Sequence, residues 1–308
     1  MRQDHPNVLY RLRQFFMKFI NPVLRCPYVL IAPAVLLAIT FSIIPTLMSI
    51  RNSFYKVDYV FHVDTFVGLS NYKTIFHDPT FLLVFKNTLI FTGVTVIFAI
   101  PLAVLVAVFL NKNTAIHNFT QSVVFTPHII SWVSIAALWM FLMDPQFGIL
   151  NAVLTALGFD PLDWMLSEKT SLLSIIIVSI WKSLGYNVLI VTSGLQNIPQ
   201  DIYESAKLDR SNWFRTFFKI TVPMLSPTFV FLVTTTIIGT FSTYDLIKLM
   251  TQGGPRNSSN LLVYWIYETG YLQFNVGKAM AGGVILLLFI GTVSVANFTL
   301  MNKRAHYQ

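Results

Sequence analysis

Charge is what this sequence has least of. Asp, Glu, Lys and Arg make up 11% of its 308 residues, against about a quarter in a soluble globular chain. With 55% hydrophobic residues and a mean hydropathy of +0.64, a soluble enzyme is excluded. The single cysteine, Cys26, excludes an internal disulfide framework and any cysteine-built zinc or iron–sulfur centre. Fourteen Gly and fourteen Pro are too few for a collagen-like or low-complexity chain. An integral membrane protein remains.

Recognisable chemistry is also missing. No Gly-x-x-x-x-Gly-Lys-Ser/Thr run is present to cradle nucleotide phosphates, and no His-Glu-x-x-His to hold a metal. The six histidines are scattered at positions 5, 62, 77, 117, 128 and 306. Ser258-Ser259, after Gly253-Gly254-Pro255, has no base partner in the sequence. The net charge of +8 would suggest nucleic acid in a soluble protein. Here no arginine-rich run with interleaved aromatics exists, and the basic residues flank apolar spans. Neither a catalytic set, a metal site nor a cofactor site is expected in this chain.

The chain does hold long apolar runs. A hydrocarbon core about 30 Å thick takes about 20 helical residues. Tyr28–Ile50, Asn87–Leu110, Val222–Tyr244 and Ala279–Met301 carry no charge. Phe119–Met143 contains only His128 as a titratable group, and Leu172–Leu195 carries one charge, Lys182. The expectation is an all-α integral membrane protein with six transmembrane helices and both termini on one side. Placing the termini in the cytoplasm puts twelve basic residues inside against eight outside, and four acids inside against nine outside, as the positive-inside rule requires. Residues 1–27 then form a cytoplasmic N-terminal segment and 302–308 a cytoplasmic tail. The first apolar run is longer than a signal-peptide core and no small-residue cleavage site follows it. Leu9–Ile20, with Leu12, Phe15, Phe16 and Phe19 at helical spacing, is expected to lie along the inner interface.

The longest cytoplasmic connection is Gln196–Thr221. Pro199 suits the first position of a helix, and Asp201 and Glu204 place acids near its positive N-terminal end. A second segment carries Trp213, Phe214, Phe217 and Phe218, with Arg215 and Lys219 toward its end. Two short amphipathic helices joined near Asp209-Arg210-Ser211 fit this pattern. From composition alone they either float on the inner leaflet or form a docking knob for a cytoplasmic partner.

The residues of this loop carry a resemblance. Glu204-Ser205-Ala206, three residues, Arg210, nine residues, then Ile220-Thr221-Val222-Pro223 resembles the EAA loop of ABC importer permeases, Glu-Ala-Ala, three residues, Gly, nine residues, Ile, one residue, Leu-Pro. Similarity to sugar-type ABC permeases continues through Phe66–Tyr72, Asn87-Thr88, Trp181 to Pro199 and Thr251–Pro255. Ser205 and Val222 are mild departures. Arg210 stands where the family has Gly, whose use there is positive φ or close packing. Arg supplies neither, so the turn is expected to rest on another residue or Arg210 to touch the ATPase directly.

This resemblance implies a type I ABC importer permease of the MetI-like kind, in a prokaryotic plasma membrane. It further implies a partner set: a second permease, two cytoplasmic ATPases that bind ATP and Mg, and an extracytoplasmic solute-binding protein. Residues 51–86 and 144–171 would form much of the surface that receives the binding protein. Glu204 would carry the coupling to the ATPase, with Ser205, Ala206, Asp209, Arg210 and Pro223 around it.

Polar residues inside spans are costly and face a partner helix or a wet cavity. Ser179, Lys182, Ser183 and Tyr186 fall at i, i+3, i+4 and i+7 of the fourth span, and Thr236, Thr240 and Thr243 at i, i+4 and i+7 of the fifth. Each set forms one helix face, so the two either line a shared interior or mediate helix packing. By the resemblance these positions match segments that contact sugar in the maltose permease family, with Tyr186 to stack on a ring. Lys182 has three readings: recognition of a phosphate or carboxylate on the cargo, pairing with a carboxylate of another subunit, or snorkelling. The cargo is expected to be a sugar or oligosaccharide, with glycerol-phosphate as the anionic alternative. A secondary transporter would favour internal repeats and acids within spans, and no span interior here holds Asp or Glu.

Overall fold

The computed structural model describes residues 27–58, 63–112 and 114–302. The interfacial segment expected over Leu9–Ile20, Cys26 and the tail beyond Asn302 lie outside the described residues. Two compact units divide the chain after Asn52. The described element of the first is α1 (Pro27–Asn52), uncharged as far as Ile50 and interrupted by a π turn at Ile39–Ile43.

The second unit opens with a hairpin, β1 (Tyr55–Asp58) and β2 (Val63–Phe66), paired antiparallel with Tyr55 opposite Phe66. No strand was expected from the sequence. The hairpin is short and sits between apolar runs, where its Tyr, Val, Thr and Phe residues carry β-propensity but too little length to show a period. It is followed by α2 (Ser70–Phe76), whose Asn71 and Tyr72 hold the chain before the hairpin: Asn71 Nδ2 donates to the carbonyls of Ser53 and Tyr55 at 2.8 and 3.0 Å, and the Tyr72 hydroxyl meets Ser53 Oγ at 2.6 Å.

Five apolar elements follow. They are α3 (Pro79–Leu110), α4 (Ala115–Ile129) with α5 (Trp132–Leu142), and, after the short α6 (Ile149–Ala156), α7 (Ser171–Gln196). Beyond α7 lie α8 (Gln200–Leu208) and α9 (Trp213–Met224), then α10 (Ser226–Thr240) and α11 (Tyr244–Met250). The chain closes with α12 (Leu262–Tyr267), extended by a π turn over Glu268–Leu272, and α13 (Val276–Asn302). Four helices, α1, α3, α7 and α13, are each long and apolar enough to cross a membrane. Two bent pairs meet the same test jointly: α4 with α5, bent by 101°, and α9 with α10, bent by 66°.

The expected runs Phe119–Met143 and Val222–Tyr244 are therefore broken rather than straight. The first breaks where Ile130 and Ser131 turn extended, with ψ 141° and 150°, three residues after Pro127. The second breaks at Leu225, with ψ 1°, between Pro223 and Pro227, neither of which has an N–H to give the helical ladder. Hydropathy is blind to both breaks because Ile130, Ser131 and Leu225 are apolar or small.

α3 and α7 form the centre. Ala99, Ala103 and Ala107 of α3 are fully buried at successive four-residue steps, and small residues at this spacing let helix backbones approach closely. Ile100, Val104 and Leu110 of α3 join Val188, Val191 and Leu195 of α7 and Leu232 of α10 in one apolar cluster. The outward faces are apolar as well: Ile97, Phe98 and Phe109 of α3 and Leu288 of α13 are each at least 60% exposed. In water that surface would be an aggregation liability, whereas in hydrocarbon it costs nothing.

Candidate functional site

A cavity of about 540 Å³ opens between α3, the α4–α5 break, α7 and α10. Six of the seven residues expected on a shared polar interior line it: Ser179, Lys182, Ser183 and Tyr186 from α7, Thr236 and Thr240 from α10. Thr243 does not. The periodicity that placed it there assumes a helix continuing to Tyr244, but α10 ends at Thr240 and a turn intervenes. Thr243 is instead buried with its hydroxyl donating to the Thr240 carbonyl at 2.7 Å.

The cavity also takes in residues that sequence reasoning did not select. Thr95 comes from α3, where Thr88, Thr92 and Thr95 form the same kind of i, i+4, i+7 face, so the signal was present. Asn187 and Ser242 line it too, as do His128, Ser131 and Trp132 at the break. Only a structure shows that the break folds inward. His128 stacks on Tyr186 with ring centroids 5.0 Å apart and planes 23° from parallel. Thr92 Oγ1 and Thr240 Oγ1 meet at 3.1 Å and tie α3 to α10 at the cavity wall.

Three polar atoms of lining residues, Thr95 Oγ1, Asn187 Nδ2 and Thr236 Oγ1, are buried without a protein partner. Buried polar groups are nearly always hydrogen-bonded, so two hydroxyls and an amide without a protein partner set these lining residues apart from the apolar core around them. None of the lining residues is acidic. Among the described residues no group of three or more His, Cys, Asp or Glu side chains is arranged to hold a metal.

The second candidate region is the α8–α9 pair. Pro199 caps α8 from outside, with ψ 135°, rather than occupying its first turn. Glu204, Ser205 and Leu208 form an exposed stripe, Leu208 at 85%, while Ala206 is buried and Tyr203 donates to or accepts from Thr221 Oγ1 at 3.2 Å. From the sequence Leu208 counts with Ile202, Tyr203 and Ala206 as the apolar surface of this helix, but the structure leaves it exposed. The turn rests on Arg210 itself, contrary to expectation. Arg210 has φ +51°, its N–H donates to the Lys207 carbonyl at 3.0 Å, and the Ser211 N–H donates to the Ala206 carbonyl at 2.9 Å. That is the hydrogen-bond pair of a Schellman helix end, with its left-handed residue at position 210. A glycine there would meet the same requirement without strain.

On the far side of the turn the Asn212 side chain caps α9 by accepting from the Arg215 N–H at 2.8 Å, and Trp213 stacks on Phe217 with planes 2° apart. Tyr203 and Phe217 pack against the apolar cluster that α3, α7 and α10 share.

Residues 99–307 match the family described as the binding-protein-dependent transport system inner membrane component. The chain is 31% identical over 292 residues, 94% of its length and 98% of the relative's, to the sn-glycerol-3-phosphate transport system permease protein UgpA of Agrobacterium fabrum. It is 33% identical over 277 residues, 89% of its length and 88% of the relative's, to the arabinooligosaccharides transport system permease protein AraP of Bacillus subtilis. Among solved structures, a chain of a bacterial ABC transporter involved in import of the acidic polysaccharide alginate superposes with a TM-score of 0.79 at 21% identity, covering 95% of this chain and 99% of that one. The chain belongs to the family of binding-protein-dependent transport system inner membrane components, and its fold is that of an ABC importer permease.

Proposed function

We propose that the chain is the membrane permease of an ATP-driven importer for a sugar or oligosaccharide, and that the cavity between α3, α4–α5, α7 and α10 is the cargo path. The observation that carries this reading is the lining itself. Ser179, Ser183, Thr95, Thr236, Thr240 and Asn187 offer hydroxyl and amide groups matched to sugar hydroxyls, three of their polar atoms have no partner, and the stacked His128–Tyr186 pair supplies an aromatic wall. On this reading each bent pair is one span, giving six, and the excess of basic residues in the loops between them would put both termini, with α8 and α9, on the cytoplasmic side.

There Glu204, with Ser205, Ala206, Asp209, Arg210 and Pro223, would engage one of two ATPases that bind ATP and Mg, in a complex with a second permease. An extracytoplasmic solute-binding protein would deliver cargo to the opposite face, against residues 51–86 and 144–171. The membrane is the plasma membrane of a prokaryote.

An anionic cargo such as glycerol-phosphate is the second reading, favoured by Lys182 in the lining and the absence of acids there. The Lys182 ammonium, however, donates to three backbone carbonyls and has no proton left for a phosphate. The test is uptake into liposomes holding the purified transporter, its binding protein and ATP, across neutral oligosaccharides and glycerol-phosphate. Uptake of a neutral saccharide supports the sugar reading. Uptake of glycerol-phosphate alone overturns it.

A further inference from the structure

A lysine within an apolar helix is expensive unless something specific holds it. Lys182 is 7% exposed, and the described residues place no carboxylate against it. Its Nζ donates to the carbonyls of Pro127 at 3.2 Å, His128 at 3.3 Å and Ile130. An ammonium has three protons, and three carbonyls take them. On its other side the Trp132 ring centroid lies 4.8 Å from Nζ, within cation–π range.

These acceptors share one location. Pro127 and His128 lie in the last turn of α4, where carbonyls lack helical partners and the helix dipole is negative. Ile130 is the extended residue after it. The opposite lip of the break has its own cap, since Ser131 Oγ accepts from the Ser134 N–H at 3.3 Å. The break between α4 and α5 is therefore closed from two sources: its second limb by Ser131, its first limb only from outside, by a side chain of α7.

A separate feature brings the two helices within reach. A Cβ on Gly185 would stand 2.3 Å from the Val124 carbonyl oxygen and 2.6 Å from Phe125 Cα. The backbones of α7 and α4 touch there, one turn from Lys182.

We propose that Lys182 is a positioning residue, a clamp that holds the 101° bend between α4 and α5 and so fixes His128 and Trp132 as walls of the cavity, without contacting cargo. The clamp stands on this chain's geometry alone. Its consequence for transport rests on the cavity being the cargo path. Without the ammonium, the carbonyls of Pro127, His128 and Ile130 face the cavity unpaired and the two limbs swing about Ile130–Ser131.

The experiment measures the bend directly and needs no cargo. Spin labels go on cysteines at Asn118 in α4 and Phe141 in α5, in a Cys26→Ser background, in the full chain purified with its assembly in lipid nanodiscs. Pulsed electron resonance reads the distance distribution. With Lys182 present a single narrow distance is expected. Lys182→Met, which keeps the apolar stem and removes every donor, should at least double the width or add a second distance. Lys182→Arg, which keeps a cation with several N–H donors, should restore the narrow distribution, an effect that mere filling of space would not give. Should Lys182→Met fail to insert, Lys182→Leu, which also has no donor, replaces it with the same expectation. A distribution in Lys182→Met or Lys182→Leu as narrow as with lysine overturns the clamp and leaves the transport reading standing.

Discussion

Asp78 and Lys278, 200 residues apart in sequence, meet at 2.6 Å and join the N-terminal ends of α3 and α13. Asp78 also caps α3, accepting from the Thr80 N–H at 2.9 Å. Lys278 Nζ in turn lies 5.5 Å from the Trp265 ring centroid, so one ion pair fastens α3, α12 and α13. Burial raises the Asp78 carboxyl, but the Lys278 hydrogen bond, the Thr80 N–H and the Lys278 charge outweigh it and hold the pKa below the ordinary 3.8.

The pH dependence follows from that direction. A carboxylate with a depressed folded pKa contributes stability that is fully present above its unfolded value and is lost as pH falls through the folded one. The purified protein should lose thermal stability below about pH 4, and Asp78→Asn should lose less over the same range. At neutral pH Asp78→Asn removes the ion pair and keeps the cap. Asp78→Ala removes both and should cost about 1 kcal/mol more. Thermal melts in detergent of the three forms against pH check this.

At Gly185 the expectation is steric. A methyl group there meets backbone, which cannot rotate away, so Gly185→Ala should cost about 1–3 kcal/mol, the range for overpacked sites. Gly93, where nothing lies within 4 Å of an added Cβ, should accept alanine with no loss. Paired melting temperatures of the two variants decide the point.

The left-handed Arg210 makes a prediction of opposite sign. A non-glycine residue in this conformation costs about 1–2 kcal/mol, which Arg210→Gly should largely recover, while Arg210→Val should fall below the natural protein. If Arg210→Gly melts no higher, the strain assigned to this turn is absent.

In the cavity, Thr236→Val and Tyr186→Ala should each reduce cargo affinity about tenfold, the equivalent of one hydrogen bond or stacking contact. Thr243→Val, outside the lining, should not. Equal losses at all three positions, measured by initial uptake rates against cargo concentration, would count against the cavity as the path.

Much of this architecture is legible in the sequence, and the residues show why. The long apolar runs, uncharged except for Lys182 in α7, marked α1, α3, α7 and α13 because hydrocarbon demands length and apolarity and little else. Ser179, Lys182, Ser183 and Tyr186 were legible together because α7 is an unbroken helix, so spacing converts to a face. The same arithmetic failed at Thr243, where α10 had already ended, and could not reach His128 or Trp132, which enter the cavity only through the bend. Lys182 was visible as an anomaly, but its partners are main-chain carbonyls on another helix, and carbonyls leave no trace in composition. Arg210 shows the converse: a family glycine position predicted the conformation correctly, and the residue was wrongly expected to refuse it.

The central claim is that α8 passes ATP-driven motion from a separate ATPase to the cavity helices. It is tested most directly by ATP-dependent uptake in liposomes holding the purified assembly, comparing Glu204 with Glu204→Arg. Glu204 is exposed on α8, so the substitution should leave assembly of the spans intact while abolishing cargo-stimulated hydrolysis and uptake. Uptake unchanged by Glu204→Arg, or uptake that persists with no ATPase subunit present, would contradict the account.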